Sequence, residues 1–278
     1  MKPSLTVRRD LSNNLRAAYA RMWVRLRGSN RDPIALGAEI GLPILTIGAY
    51  VILYHAIGLP ATAGAAVIVG GAMIAFWTNV LWNMSSQWFW EREQGNLEMY
   101  MVAPVSRMAI LLGMAMGGSL NTGIRALGII LLGIFVFQVP FQLREPFLVG
   151  IVFVLTLVAL YTLGMLFASL FMLYGREAWN TANLLQEPVY FLSGAYFPGF
   201  YGSLVPQAIQ FAGSLIPMTI GLDAIRRLAI GGGDIYSVWL HIIALIASIL
   251  ILFPIARRTL NYMESLGKKE GRLTLRWQ

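Results

Sequence analysis

The sequence predicts an all-α integral membrane fold of six transmembrane helices, with an N-terminal amphipathic helix in the interface and re-entrant outer half-helices before the last span. Three observations carry that prediction. Hydrophobic residues make up 57% of the 278 and charged residues 12%, with mean hydropathy +0.65, whereas soluble domains are about one quarter charged. Most of the length falls into apolar runs of about 20 residues or more, each able to cross hydrocarbon. Basic residues gather on one side of those runs.

Residues 11–26 set Leu11, Leu15, Tyr19, Met22 and Leu26 at helical spacing, with Arg16, Arg21 and Arg25 off that stripe and Trp23 beside it. This is the pattern of a basic helix lying in the interface. Gly28-Ser29-Asn30 ends it, so residues 1–33 read as a cytoplasmic N-terminal tail, and Asp32-Pro33 starts a membrane unit over 34–257. The first span covers about 34–57 and the second, after the turn at Gly58-Leu59-Pro60, about 65–88. A charged island at 89–107 follows, and Ser106 stands where it would cap the third span at about 108–137. The loop from Pro140 to Pro146 leads to a fourth span at about 147–174 and, after the tight turn Tyr174-Gly175-Arg176-Glu177, to a fifth at about 179–197. Glu187-Pro188 interrupts that fifth run. Across 198–232 the prolines and glycines leave pieces too short to span, which fits half-helices. The last span, about 236–256, ends at Arg257-Arg258, and 258–278 is a polar tail.

Charge fixes the orientation. Six spans place seventeen Lys and Arg on one face: eight in the N-terminal tail, six in the C-terminal tail, Arg92 and Arg107 in the island, and Arg176. The opposite face holds three, Arg144, Arg226 and Arg227. By the positive-inside rule both termini are cytoplasmic, in a multi-pass protein of the cell inner membrane. A seventh span through 198–232 would export the basic C-terminal tail. The first apolar run begins only at Ile34, behind an Arg-rich segment, so no cleaved signal peptide is read.

Several function classes are excluded by residue content. The net charge of +8 sits in the tails rather than in an aromatic-laced patch, so its partner is the lipid membrane and not nucleic acid. No cysteine is present, which removes disulfides, thiol nucleophiles and Cys-ligated metals. Lys268 does not close a phosphate-binding loop, because Tyr262 stands where the first glycine belongs. His55 and His241 have no H-E-x-x-H spacing, and each reads as a membrane histidine satisfied by a neighbour. Ser193 lacks the flanking glycines of a nucleophile elbow, with Phe191 and Ala195 in their places. The chain therefore reads as a membrane subunit, not an enzyme, and binds no cofactor of its own.

Within the island, Gly95 relaxes the backbone where the second helix turns, and Pro104 stops a short helix ahead of the third span. Leu97 and Met101, four apart, give that helix an apolar ridge for a partner's groove. The stretch E-R-E-Q-G-N-L-E-M-Y-M-V-A-P-V-S-R at 91–107 resembles the cytoplasmic signature of type-2 ABC exporter permeases. Six spans, the basic N-terminal helix, and the outer F-P-G-F at 197–200 and I-P-M-T at 216–219 extend the resemblance. It implies that the island is a coupling helix seated in a separate ATPase subunit, with Glu91, Arg92, Glu93, Gly95, Leu97, Glu98, Pro104 and Arg107 in those positions. It also implies two permeases, either two copies or one with a sister permease, and two ATPase subunits that carry ATP and Mg²⁺. The complex would then export an amphipathic, hydrophobic or lipid-like substrate, such as a drug or lipid, by alternating access.

Inside the membrane the costly groups are Glu39, Arg125 and Glu187, each at about 2.5–3.5 kcal/mol if left in lipid. Arg125 is expected to pair with Glu39 or Glu187 and to tie helices together; Glu187, beside Pro188, is expected to border the substrate path. Asn79 and Asn83 lie on a polar stripe of the second span that serves either a cavity or helix contacts. The resemblance puts the second and fifth spans between permeases, which makes Asn79, Asn83, Glu187, Tyr190 and Phe191 the path candidates. Three rivals remain: an exporter of lipid-linked polysaccharide or glycolipid, a membrane-embedded enzyme or assembly factor without an ATPase, and an ion-driven secondary transporter, for whose coupling site Glu187 alone is the candidate.

Overall fold

A computed structural model describes residues 11–29, 33–174, 176–197 and 206–269. Eleven helices appear among them: α1 Leu11–Ser29, α2 Pro33–Ala56, α3 Ala61–Thr78, α4 Gln87–Glu93, α5 Asn96–Val102, α6 Arg107–Phe135, α7 Pro146–Tyr174, α8 Arg176–Leu192, α9 Gln207–Ser214, α10 Pro217–Ala229 and α11 Ile235–Lys269. Between α3 and α4 lies a π-helical turn, Asn79–Met84. The outer F-P-G-F motif falls almost wholly outside the described residues, as do 1–10, 30–32 and 270–278 of the two tails.

Five helical stretches among the described residues are long and apolar enough to cross a membrane: Gly37–Ala56, Ala61–Trp82, Arg107–Phe135, Pro146–Ser169 and Ile235–Gly267. The segment expected as the fifth of six spans forms α8, whose 17 residues reach about 25 Å at 1.5 Å each. That falls short of hydrocarbon about 30 Å thick. A sixth crossing arises only if α9 and α10, bent by 95° at Leu215–Ile216, count as one span. One boundary also moves. Helix α1 ends at Ser29, within the expected Gly28-Ser29-Asn30 stop, but α11 continues without a break to Lys269, so much of the expected C-terminal tail is helix.

Helix α3 is the axis of the bundle. Its Ala- and Gly-rich sequence lets neighbours approach on all sides, so nearly its whole length is buried. Helices in lipid gain little from apolar burial against one another and rely on small residues and hydrogen bonds. The larger core joins the lower half of α3 and the π turn to α6, α7 and α10 through Trp77, Leu81, Leu111, Leu160, Phe171 and Leu222. A second core packs Ile47 of α2 and Ile68 of α3 against Ile129 of α6. The large exposed side chains of α11, including Leu240, Leu250 and Ile251, are suited to the acyl chains.

Arg226 pins α10 to this axis. From α10 it donates to Ala66 O of α3 (2.8 and 3.1 Å) and to Gly194 O and Ala195 O after α8 (2.9 and 2.7 Å). The approach is close enough that a Cβ on Gly70 would lie 1.8 Å from Ala195 O. Sequence reading counted Arg226 only as an outer-face charge. Its guanidinium instead bonds carbonyls of α3 and of the turn after α8, where Gly194 O also accepts from Phe197 N–H at 3.2 Å.

Candidate functional site

The island folds as α4 and α5, set at an angle by Gly95, whose φ of 74° lies in the left-handed region that glycine adopts freely. Helix α5 ends at Ala103, held extended at ψ 138° as expected for the residue before a proline. Ser106 occupies the N-cap of α6 but makes no capping bond with its side chain. Its backbone N–H is taken by Asn14 Oδ1 of α1 at 2.7 Å.

Glu91 is only 3% exposed, and this burial decides its role. Arg21 of α1 forms an ion pair with it, Asn96 Nδ2 donates to it at 3.1 Å, and the Tyr100 hydroxyl donates at 3.2 Å. Arg21 Nη1 also donates to the Tyr100 oxygen at 2.6 Å, and its guanidinium carbon lies 5.2 Å from that ring's centre. Burial pushes the Tyr100 phenol up from its ordinary value; Arg21 pulls the other way and Glu91 adds to the rise. The phenol therefore stays protonated and keeps donating. A second anchor joins Arg107, at the start of α6, to Glu264 near the end of α11 at 2.6 Å. The island is clamped between the N-terminal and last helices.

Glu91 and Arg107 thus engage this chain's own helices. The outward surface of the island holds Glu93, Pro104, Met99 (64% exposed) and Val102 (86% exposed). Met99 and Val102, three apart on α5, share one face. The ridge expected from Leu97 and Met101, together with the side chains of Arg92 and Glu98, lies outside the described side chains.

Helix α1 reaches the island because α6 offers it a groove of small residues. At Gly113 a Cβ would sit 2.3 Å from Ala18 O, and at Gly117 it would sit 2.8 Å from Met22 O. Backbones that close require glycine at both positions, four apart on one face of α6. Sequence reading saw the amphipathic stripe of α1 and missed this seat, although Gly113-x-x-x-Gly117 was its signal. The stripe residues Leu11, Leu15 and Tyr19 remain exposed.

Of the intramembrane charges, Arg125 of α6 pairs with Glu39 of α2, one of the two partners expected. Asn79 is buried in the π turn and donates to the Tyr161 hydroxyl of α7 at 2.7 Å, which makes it a helix-to-helix contact. Tyr190 of α8 shares a hydrogen bond with Thr78 at 2.9 Å, and Trp82 Nε1 donates to Gln186 Oε1 of the same helix. Glu187 and Phe191 are exposed on α8. The Asn83 side chain lies outside the described residues. Among the path candidates with described side chains, then, only Glu187 and Phe191 present open surface.

Long apolar helices around a buried axis define a multi-span helical membrane protein. Residues 59–258 match the family model described as ABC-2 family transporter protein, and the chain belongs to that family. It is similar to proteins named "Inner membrane transport permease YadH" from Escherichia coli strain K12, Escherichia coli O157:H7 and Shigella flexneri, each 28% identical over 169 residues. The match covers 61% of this chain and 64% of each relative. It therefore spans less than two thirds of the length of those relatives.

Proposed function

We propose that the chain is the membrane subunit of an ATP-driven exporter in the inner membrane, energised by a separate ATPase that seats on α5. The observation that carries this reading is an apolar ridge, Met99 and Val102, on a helix that the chain itself braces through Glu91 and Arg107. A helix left to solvent has no need of two buried or half-buried ion pairs to hold its angle. ATP and Mg²⁺ belong to the partner subunits, two per complex. Two permeases, identical or sister chains, enclose the substrate between them, with Glu187 and Phe191 of α8 on the path. Helices α9 and α10 form the re-entrant outer element. The substrate class is an amphipathic or lipid-like molecule moved by alternating access.

The test is co-purification in mild detergent with the ABC ATPase co-expressed. Val102→Asp and Met99→Asp are expected to abolish ATPase capture with folded yield unchanged, because both side chains are largely exposed. Absence of any ATPase with the wild-type protein, or full capture and transport by both variants, would overturn the reading.

A further inference from the structure

Where α10 and α11 meet, a cleft of about 360 Å³ is lined by Ser214, Thr219, Ile220, Asp223, Arg227, Leu240, His241 and Ala244. Its volume lies at the low end of the about 300–1,000 Å³ usual for small-molecule sites. Its polar groups are incompletely used. Thr219 is 1% exposed, yet its hydroxyl has no hydrogen-bond partner among the described residues, and neither does the buried Nδ1 of His241. Buried polar atoms seldom stay unpartnered, and each such atom calls for an explanation. Asp223 Oδ2 is shared by Arg227 Nε and His241 Nε2, both at 2.8 Å. This contact fixes the guanidinium through one edge and leaves both of its Nη groups without a partner among the described residues. Ile220, Leu240 and Ala244 supply an apolar wall.

Position narrows the ligand. Asp223 and His241 each lie six residues from the Ala229–Ile235 turn, about 9 Å along their helices. His241 and Glu264, the partner of the island's Arg107, are 23 residues apart on α11, about 35 Å at 1.5 Å per residue. The cleft thus lies one membrane thickness from the island, in the far leaflet and near its headgroups. The Asp223–Arg227 ion pair is better placed against polar headgroups than against bare acyl chains. A fork of free guanidinium donors matches the oxygens of a phosphate.

We propose that this cleft holds the phosphate headgroup of a lipid in the leaflet opposite the island. Arg227 and Thr219 donate to the phosphate oxygens, the Asp223–His241 pair orients Arg227, and the first acyl carbons lie on Leu240 and Ile220. The site is independent of ATPase docking, so its test uses the full-length permease alone.

Native mass spectrometry of the detergent-solubilised chain, titrated with dioleoyl phosphatidylglycerol, reads occupancy directly. Dioleoylglycerol, with the same tails and no phosphate, and inorganic phosphate as competitor are the comparison arms. The expected result is a saturable phosphatidylglycerol adduct that is weakened about tenfold or more by Arg227→Gln, as loss of a charge-assisted bond implies, and partly restored by Arg227→Lys. Thr219→Val keeps shape and removes only an unpartnered hydroxyl, so the lipid-free melting temperature should hold while the adduct weakens. Undiminished binding in both Arg227→Gln and Thr219→Val overturns the proposal, as does equal binding of dioleoylglycerol. Full displacement by inorganic phosphate overturns it in favour of a free-anion site. A dimer mass that Arg227→Gln abolishes, without lipid adducts, overturns it in favour of a second copy covering the cleft.

Discussion

Replacing Glu91 with Ala removes the acceptor on which three side chains converge. The carboxylate is 3% exposed, while the Arg21 side chain is 20% exposed and keeps its bond to Tyr100. Breaking a fully buried ion pair by deleting one partner costs about 3–5 kcal/mol. Partial exposure of Arg21 and its retained Tyr100 contact reduce that to about 2–3 kcal/mol. The cost falls on docking of α1 against the island, which should drop about 30- to 150-fold in equilibrium constant. Hydrogen exchange followed by mass spectrometry, on protein in nanodiscs, measures this locally. Amides of α1 and α5 should lose protection together, because one carboxylate holds both, while α7 should keep its protection. The double variant Arg21→Met with Glu91→Leu strands no charge and should dock better than Glu91→Ala alone. Loss of protection confined to α4 and α5, with α1 unaffected, would refute the clamp, as would a double variant no better docked than the single one.

Glycine substitutions on α6 should separate close packing from helix propensity. Gly113→Ala forces a Cβ to within 2.3 Å of Ala18 O, a backbone atom, and should cost about 1–3 kcal/mol in thermal melts monitored by size-exclusion fluorescence. Gly123→Ala meets nothing within 4 Å and should leave stability equal or raise it by up to about 1 kcal/mol. Arg226→Leu strips the donors from Ala66 O, Gly194 O and Ala195 O and should lower the yield of folded protein sharply, with Arg226→Lys intermediate because an ammonium lacks the planar fork. Normal yield and melting for Arg226→Leu would show that α10 is held otherwise.

The membrane character and most helix positions were legible because apolar runs and charge bias report directly on the bilayer. Gly95 and Pro104 were legible too, since left-handed backbone and the residue before proline are local constraints. What the sequence hid is long-range. Nothing near Glu91 announces that its partner is Arg21, 70 residues away, or that Arg226 reaches back 160 residues to Ala66. The charged island therefore read as a free docking surface, when its two ends are spent on this chain's own helices. Helix α8 was overread for the opposite reason. Its aromatic and aliphatic residues suggested a span, but 17 residues containing Glu187 and Pro188 form a short amphipathic helix instead.

The bracing at the island bears on how work done there would reach the rest of the bundle. Helix α3 is buried along almost its whole length, so sliding it would disturb packing on every side. The π turn below it is different. Ser85 N–H bonds to Val80 O at 3.1 Å, five residues back, and Ser85 Oγ donates both to Val80 O (2.8 Å) and to Gly164 O of α7 (3.2 Å). Within the same turn Asn79 holds Tyr161 of α7, while Trp82 holds Gln186 of α8. Two side chains three residues apart thus engage two different helices. A rotation of α4, which is joined to this turn through Ser85 and Ser86, acts on α7 and α8 at once without moving α3 along its axis. Since α8 also carries Glu187 and Phe191, the proposed route from α5 to the substrate path is short: island, π turn, α8. On this reasoning Trp82→Phe, which removes the Gln186 bond and keeps an aromatic ring, should leave ATPase binding intact and slow transport. Transport at the wild-type rate would place the route elsewhere.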